Sequence, residues 1–217
     1  MTTATPCIAV LGGSFDPPHN GHLALARHFT DLLHPDALRV VPAGNPWQKQ
    51  PLQTPAQDRA AMARAAFAGM PIPVIVDEQE IQRPGPSYTV DTLHALRTEL
   101  GPSASIALLM GADQLQRLHT WHAWRQLFAQ AHLCVATRPG FDMRTADDAV
   151  AAEFARRTAP PEQLRTTPHG LTLLSHDLAA DISATALRAM LRRGERPVSQ
   201  LPCGVLDYIE QHHLYRD

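Results

Sequence analysis

Lysine is nearly absent from this 217-residue chain: of its 19 lysines and arginines, only Lys49 is a lysine. The sequence is rich in alanine, proline and arginine, as if arginine had replaced lysine wherever either would serve. A lysine that survives such a bias is expected to be there for its own chemistry, a compact and mobile ammonium. Cysteine is scarce as well. Cys7, Cys134 and Cys203 are odd in number and far apart, which argues against a disulfide framework. Cys7 and Cys134 lie in apolar runs that suit buried free thiols, so reducing cytoplasm is the expected compartment. No apolar run approaches the roughly 18 residues of a membrane span, and the first residues lack a signal-peptide pattern. A formal charge of -2 without a basic tail gives no broad nucleic-acid surface. What is present is 44% hydrophobic content, enough to bury a full core. One domain over residues 1–217 is expected, helical in its C-terminal portion from about residue 183.

The most informative stretch is Gly12-Gly13-Ser14-Phe15-Asp16-Pro17-Pro18-His19-Asn20-Gly21-His22. The apolar run at 7–11 before it reads as a buried strand. After it, Leu25, Phe29, Leu32 and Leu33 fall at helical spacing within residues 23–34. A strand, a glycine turn and a helix start is where open α/β folds bind phosphates. The glycines let backbone approach a ligand closely. His19 and His22, three apart at the helix entrance, can present both imidazoles to one pocket. The glycine fingerprint of dinucleotide binding is missing, as is the Gly-Lys-Ser/Thr of a P-loop. Two histidines could also begin a zinc site, which needs a third and usually a fourth ligand. No cysteine or acid with ligand spacing stands beside them, and no metal site is assigned.

Along the chain, residues 37–43 read as a second strand and 44–51 as a turn-rich polar loop carrying Lys49. Residues 56–68 form a helix, and 72–76, extended toward 81, a third strand. Ser87 is expected to cap a helix through Thr89, Leu93 and Leu96. The apolar strand 106–110 ends at Gly111-Ala112-Asp113. A short helix at 115–118 follows, and Thr120 is expected to cap another over 122–129. Residues 132–136 are a strand ending at Thr137-Arg138-Pro139-Gly140. Residues 141–167 are the least readable, with a helix over 147–157. A last strand spans 170–174, and helices over 183–193 and 205–211 close the chain. This alternation predicts an α/β, Rossmann-like open parallel sheet with right-handed crossovers and helices on both faces.

A second anion-binding element is Ile182-Ser183-Ala184-Thr185-Ala186-Leu187-Arg188. Ser183 and Thr185 sit in a first helical turn, where hydroxyls and free N–H groups can receive an anion. Arg188, one turn on, can fork onto phosphate oxygens. Together the two elements resemble the His-x-Gly-His and Ile-Ser-x-Thr-x-x-Arg signatures of the nucleotidyltransferase superfamily. Pro86-Ser87-Tyr88-Thr89, Gly111-Ala112-Asp113, Thr120-Trp121 and Arg138-Pro139-Gly140 narrow the resemblance to bacterial nicotinate-nucleotide adenylyltransferases. So does the closing segment 201–216. One departure is the loop before the lysine, which in that family usually reads Pro-Pro-His-Lys and here reads Pro46-Trp47-Gln48-Lys49.

The resemblance implies transfer of AMP from ATP to the phosphate of nicotinate mononucleotide, with pyrophosphate released, a step in NAD biosynthesis. It implies His19 and His22 as donors to the α- and β-phosphates, and Lys49 and Arg188 as holders of the triphosphate, with Mg²⁺ carrying further charge. Gly12, Gly13, Ser14 and Phe15 would line the same anion site, together with Gly111, Ile182, Ser183 and Thr185, and Asp113 would accept from a ribose hydroxyl. Ser14, Phe15, Lys49, Tyr88, Thr89, Trp121, His122 and Arg138 would receive the nicotinate nucleotide. Two helix entrances, at Thr89 and near His122, would aim N–H groups at its carboxylate and favour acid over amide. A sister transferase acting on nicotinamide mononucleotide or phosphopantetheine, and a non-catalytic nucleotide-binding regulator, remain alternatives. Oligomeric state, a homo-oligomer included, is not readable from the chain.

Overall fold

The computed structural model describes residues 5–45, 52, 54–137, 140–176, 178 and 182–216. Lys49 and Arg138 lie outside these residues. Six strands, β1 (Cys7–Gly13), β2 (Ala37–Pro42), β3 (Val74–Val76), β4 (Ser105–Gly111), β5 (His132–Ala136) and β6 (Thr172–Ser175), form one sheet. Every pairing is parallel and the order is β3-β2-β1-β4-β5-β6.

The strands are apolar on both sides because both faces are covered. Ala9 and Leu11 of β1, Ala107 and Leu109 of β4, and Cys134 and Ala136 of β5 enter one core. Their alternates Ile8 and Val10, Ile106, Leu108 and Met110, and Leu133 and Val135 enter the other. The first face is covered by α1 (Asn20–Leu33) and α2 (Ala56–Phe67). The short α3 (Gln79–Gln82) leads to α4 (Thr89–Leu100) and α5 (Ala112–Arg117). Leu93 and Leu96 of α4 and Leu115 of α5 belong to the second core, as do Val150 and Phe154 of α6 (Asp148–Arg157). A one-and-a-half-turn α7 (Pro161–Thr166) precedes β6, and α8 (Ala184–Arg192) and α9 (Cys203–Gln211) return to the first face with Leu187, Leu191, Val205 and Ile209. Cys7 and Cys134 are buried free thiols, as their runs predicted, while Cys203 is exposed. No described helix is long and apolar enough to cross a membrane.

Three local expectations give way to competing hydrogen bonds. The strand at 72–76 does not run on toward 81: it ends at Val76, and Asp77 Oδ1 accepts from the Gln79 N–H at 3.0 Å to start α3. Ser87 does not cap α4, because its hydroxyl is taken by the Asn45 N–H at 3.0 Å and Tyr88 stands at the N-cap without a side-chain cap. Nor is Thr120 the N-cap of the next helix, a place Ala123 takes; its hydroxyl donates to the Arg117 carbonyl at 2.7 Å. The helix expected over 122–129 is a 3₁₀ segment, Trp124–Ala129, opened by Ala123 in the left-handed region at φ 48°.

In a sheet of this order the crossovers leave β1 and β4 in opposite directions, which opens a crevice above their carboxyl ends. A large cavity lies there. It has a volume of about 1150 Å³ and is lined from Leu11 to Phe15 on one side and from Leu108 to Asp113 on the other.

Candidate active site

The phosphate motif leaves β1 and enters α1 at His19. The His19 N–H donates to His22 Nδ1 at 3.1 Å, so the proton of a neutral His22 sits on Nε2. The two rings stack with centroids 3.7 Å apart. His19 is 9% exposed, and burial pushes its imidazole down to about 4. Its Nδ1 is buried with no hydrogen-bond partner. Gly21 is what makes room for that ring: a Cβ there would lie 3.0 Å from His19 Nδ1.

Across the cavity, Ser183 stands one position before the first turn of α8, as its N-cap, its hydroxyl accepting from the Ala186 N–H at 3.4 Å. Arg188 donates to the Asp16 carbonyl at 2.7 Å and to the Thr185 hydroxyl at 3.3 Å. The guanidinium thus bridges the two sequence signatures. Imidazoles, hydroxyls and a guanidinium face one another here, a donor-rich set suited to phosphate oxygens. Among the described residues, no group of three or more His, Cys, Asp or Glu side chains is placed to hold a metal ion.

The other end of the cavity is aromatic. Tyr88 and His122 stack with centroids 4.3 Å apart, and Trp121 lies on the wall with them. Trp121 Nε1 is buried without a partner. Thr89 opens α4 at the same wall, and the N-cap Tyr88 supplies no side-chain cap to its first turn. Of the two helix entrances expected here, the one at Thr89 is present; the other, expected near His122, is a 3₁₀ start at Trp124.

The cavity therefore gathers Gly12, Gly13, Ser14, Phe15, His19, His22, Tyr88, Thr89, Gly111, Asp113, Trp121, His122, Ile182, Ser183, Thr185 and Arg188. Phe15 touches the wall but is 1% exposed, its ring set edge-on against His22 and Phe67, so it supports the histidine more than it offers a surface. The Cytidylyltransferase-like family matches residues 10–190. A chain from Herminiimonas arsenicoxydans named "Probable nicotinate-nucleotide adenylyltransferase" is 63% identical over 100% of both chains. This chain belongs to the nicotinate-nucleotide adenylyltransferase family. A family member of the same name from Laribacter hongkongensis is 47% identical over 99% of this chain and 97% of its own.

Solved structures agree on the fold. Plasmodium falciparum nicotinic acid mononucleotide adenylyltransferase complexed with NaAD superposes with a TM-score of 0.72 at 18% identity, covering 97% of each chain. The same enzyme complexed with APC gives 0.71, with the same identity and coverage.

Several residues that shape this site of the adenylyltransferase family fold carried no local signal. Glu80 lines the cavity, and burial raises its carboxyl pKa against the Thr92 hydroxyl that donates to it at 2.6 Å. Its backbone passes so close to Gly44 that a Cβ there would sit 1.9 Å from the Glu80 carbonyl oxygen, so only glycine fits. Arg59, 1% exposed, donates to the carbonyls of Ser14 at 2.9 Å and Thr54 at 3.2 Å. Asp16 is buried in the motif itself, and the Asp-Pro step of the signature was the one hint of it.

Proposed function

We propose that this chain transfers AMP from ATP to the phosphate of nicotinate mononucleotide, giving nicotinate adenine dinucleotide and pyrophosphate. The observation that carries the reading is one continuous cavity joining a donor-rich phosphate end to an aromatic end with an uncapped helix start. Its volume of about 1150 Å³ has room for two nucleotides.

An oxygen of the acceptor phosphate attacks the α-phosphorus of ATP, the bond to the bridging oxygen breaks, and pyrophosphate leaves. The nucleophile is already an anion, so no general base and no covalent intermediate are needed. Catalysis is positioning in line plus neutralisation of charge that grows on the phosphates. His22 donates from Nε2, the tautomer its Nδ1 bond enforces. His19, neutral when the cavity holds no anion, gains its proton more readily as phosphate charge offsets burial. Arg188 and Lys49 hold the triphosphate, and Mg²⁺ enters on ATP as part of that substrate. Asp113, at the carboxyl end of β4, accepts from a ribose hydroxyl. Arg138 is assigned to the nicotinate nucleotide on the resemblance alone.

At the aromatic end the Thr89 turn and the Trp121 indole offer donors. A carboxylate accepts from both, whereas a carboxamide presents one oxygen and sets an NH₂ group against a donor. Such a mismatch costs roughly 1–3 kcal/mol per buried group. The test is a coupled assay of pyrophosphate release from ATP with nicotinate mononucleotide, nicotinamide mononucleotide and phosphopantetheine in turn. Release with the nicotinate nucleotide, with the dinucleotide recovered, supports the reading; preference for either other acceptor overturns it in favour of a sister transferase, and no release with any acceptor favours a nucleotide-binding regulator.

A further inference from the structure

The Asp16 carboxylate is 3% exposed, and its Oδ1 receives two short hydroxyl bonds, from Thr54 and from Tyr215, each 2.6 Å. Tyr215 comes from the far end of the chain, 199 positions away. It reaches the site by an unusual turn. After α9, the Leu214 N–H bonds the Ile209 carbonyl at 3.0 Å, while His213 and Tyr215 both take left-handed backbone at φ 52° and φ 60°. That conformation is unfavourable for a non-glycine residue, so the contacts around it must hold it. Leu214 and Tyr215 pack against the first core, and burial together with the Asp16 bond pushes the Tyr215 phenol up, which keeps it a donor.

Asp16 itself lines the phosphate end of the cavity. Its carbonyl anchors Arg188, and the Ser14 carbonyl two residues before it is held by Arg59, which also bonds Thr54. The entrance of α1 is tied to the same C-terminal region, since the Asn20 N–H donates to the Gln200 carbonyl at 2.8 Å and its side chain to the Ser199 carbonyl at 3.0 Å. We propose that Tyr215 is a positioning residue: through the Asp16 carboxylate, the end of the chain holds the 14–19 loop and Arg188 in the geometry that receives the triphosphate. The kinetic consequence rests on the adenylyl-transfer reading; the structural one does not.

Tyr208 offers an internal control. Its hydroxyl also bonds an aspartate, Asp58 Oδ1 at 2.9 Å, joining α9 to α2 away from the cavity. The experiment compares full-length wild type with Tyr215→Phe and Tyr208→Phe by amide hydrogen exchange at Ser14, Phe15, Asp16 and His19, and by kcat and KM for both substrates. Tyr215→Phe is expected to speed exchange at those amides and to lower kcat about tenfold, as a small misplacement of catalytic groups does, with KM for the acceptor within about twofold. Tyr208→Phe is expected to leave the exchange and kcat as they are. Unchanged exchange in Tyr215→Phe, or an equal fall in kcat for Tyr208→Phe, overturns the proposal. Should Tyr215→Phe fail to fold, Thr54→Val removes the other donor to the same oxygen and carries the same expectations and the same refutation. Because exchange needs no substrate, it decides the Tyr215 proposal even if wild type proves not to transfer AMP, an outcome that would sink only the functional reading.

Discussion

Two buried histidines lie at opposite ends of one sheet, and burial pushes both down to about 4. His132 is the first residue of β5, at the amino end. Both its ring nitrogens are used: Nε2 stands 2.7 Å from the Thr167 carbonyl, and Nδ1 accepts from the Leu171 N–H at 3.1 Å. Nearby Arg97 fastens the same end, donating to the carbonyls of Gly101, Ala104, Gln130 and Pro168 at 2.5–3.0 Å. His19, at the carboxyl end, has the same lowered basicity but a buried Nδ1 with no partner. Trp121 in the same cavity repeats the pattern. A lowered pKa, driven mainly by burial at both, therefore does not by itself tell the two histidines apart. What separates the two histidines is ring hydrogen-bonding capacity, filled at His132 and unfilled at His19; an unfilled donor alone marks no ligand site, since Arg97 Nε at the structural end is also buried without a partner.

The comparison breaks most visibly if the two ends are disabled separately. His22→Ala, and nearly as strongly His19→Ala, should lower kcat by about 10²–10³ with the fold intact, since under the proposed mechanism each removes a donor aimed at developing phosphate charge. Steady-state kinetics beside far-ultraviolet circular dichroism checks this; more than about a third of wild-type turnover in a folded variant returns that histidine to a structural role. His132→Ala should do the reverse. It strands the Thr167 carbonyl and the Leu171 N–H, at a cost of about 3 kcal/mol in unfolding free energy, while kcat of the folded fraction stays within about twofold.

Acid sharpens the same contrast. The unfolded histidines titrate near 6.5 and the folded ones near 4. Below pH 6.5 the unfolded chain gains protons that the folded chain refuses, so stability falls until the pH has passed through 4. Between pH 7 and pH 5 each buried histidine should remove about 2 kcal/mol. Urea unfolding of wild type and His132→Gln at pH 7, 6 and 5 measures it: the variant should lose about 2 kcal/mol less over that range, and parallel curves would refute the assignment. The smallest effect is expected at Lys49→Arg. A planar guanidinium replaces a compact ammonium, and turnover should fall several-fold in the pyrophosphate assay; wild-type turnover would leave the sole lysine without a role in the phosphate site.

The carboxyl end was readable where its chemistry is contiguous. Gly12 to His22 lies within one strand, turn and helix start, and the alternation of apolar residues in β1, β4 and β5 fixed a doubly covered parallel sheet. Reading failed where a polar side chain had a choice of partners. Ser87 and Thr120 have the composition of helix caps, yet Asn45 and Arg117 claim their hydroxyls first. Ala123 in left-handed backbone turned an expected helix over 122–129 into 3₁₀ structure, which apolar spacing does not foresee. Asp16, Thr54 and Tyr215 meet across 38 and 199 positions, and spacing rules reach only about one helical turn. Lys49 and Arg138 fall outside the described residues, so their assignments still rest on sequence and resemblance.

The central claim, that the aromatic end selects a carboxylate while the histidine end moves AMP, is tested most directly by one ratio. It is kcat/KM for nicotinate mononucleotide over that for nicotinamide mononucleotide, measured as pyrophosphate release at saturating ATP. Donors at Thr89 and Trp121 predict at least about tenfold in favour of the acid; equal use of the two acceptors would contradict the account.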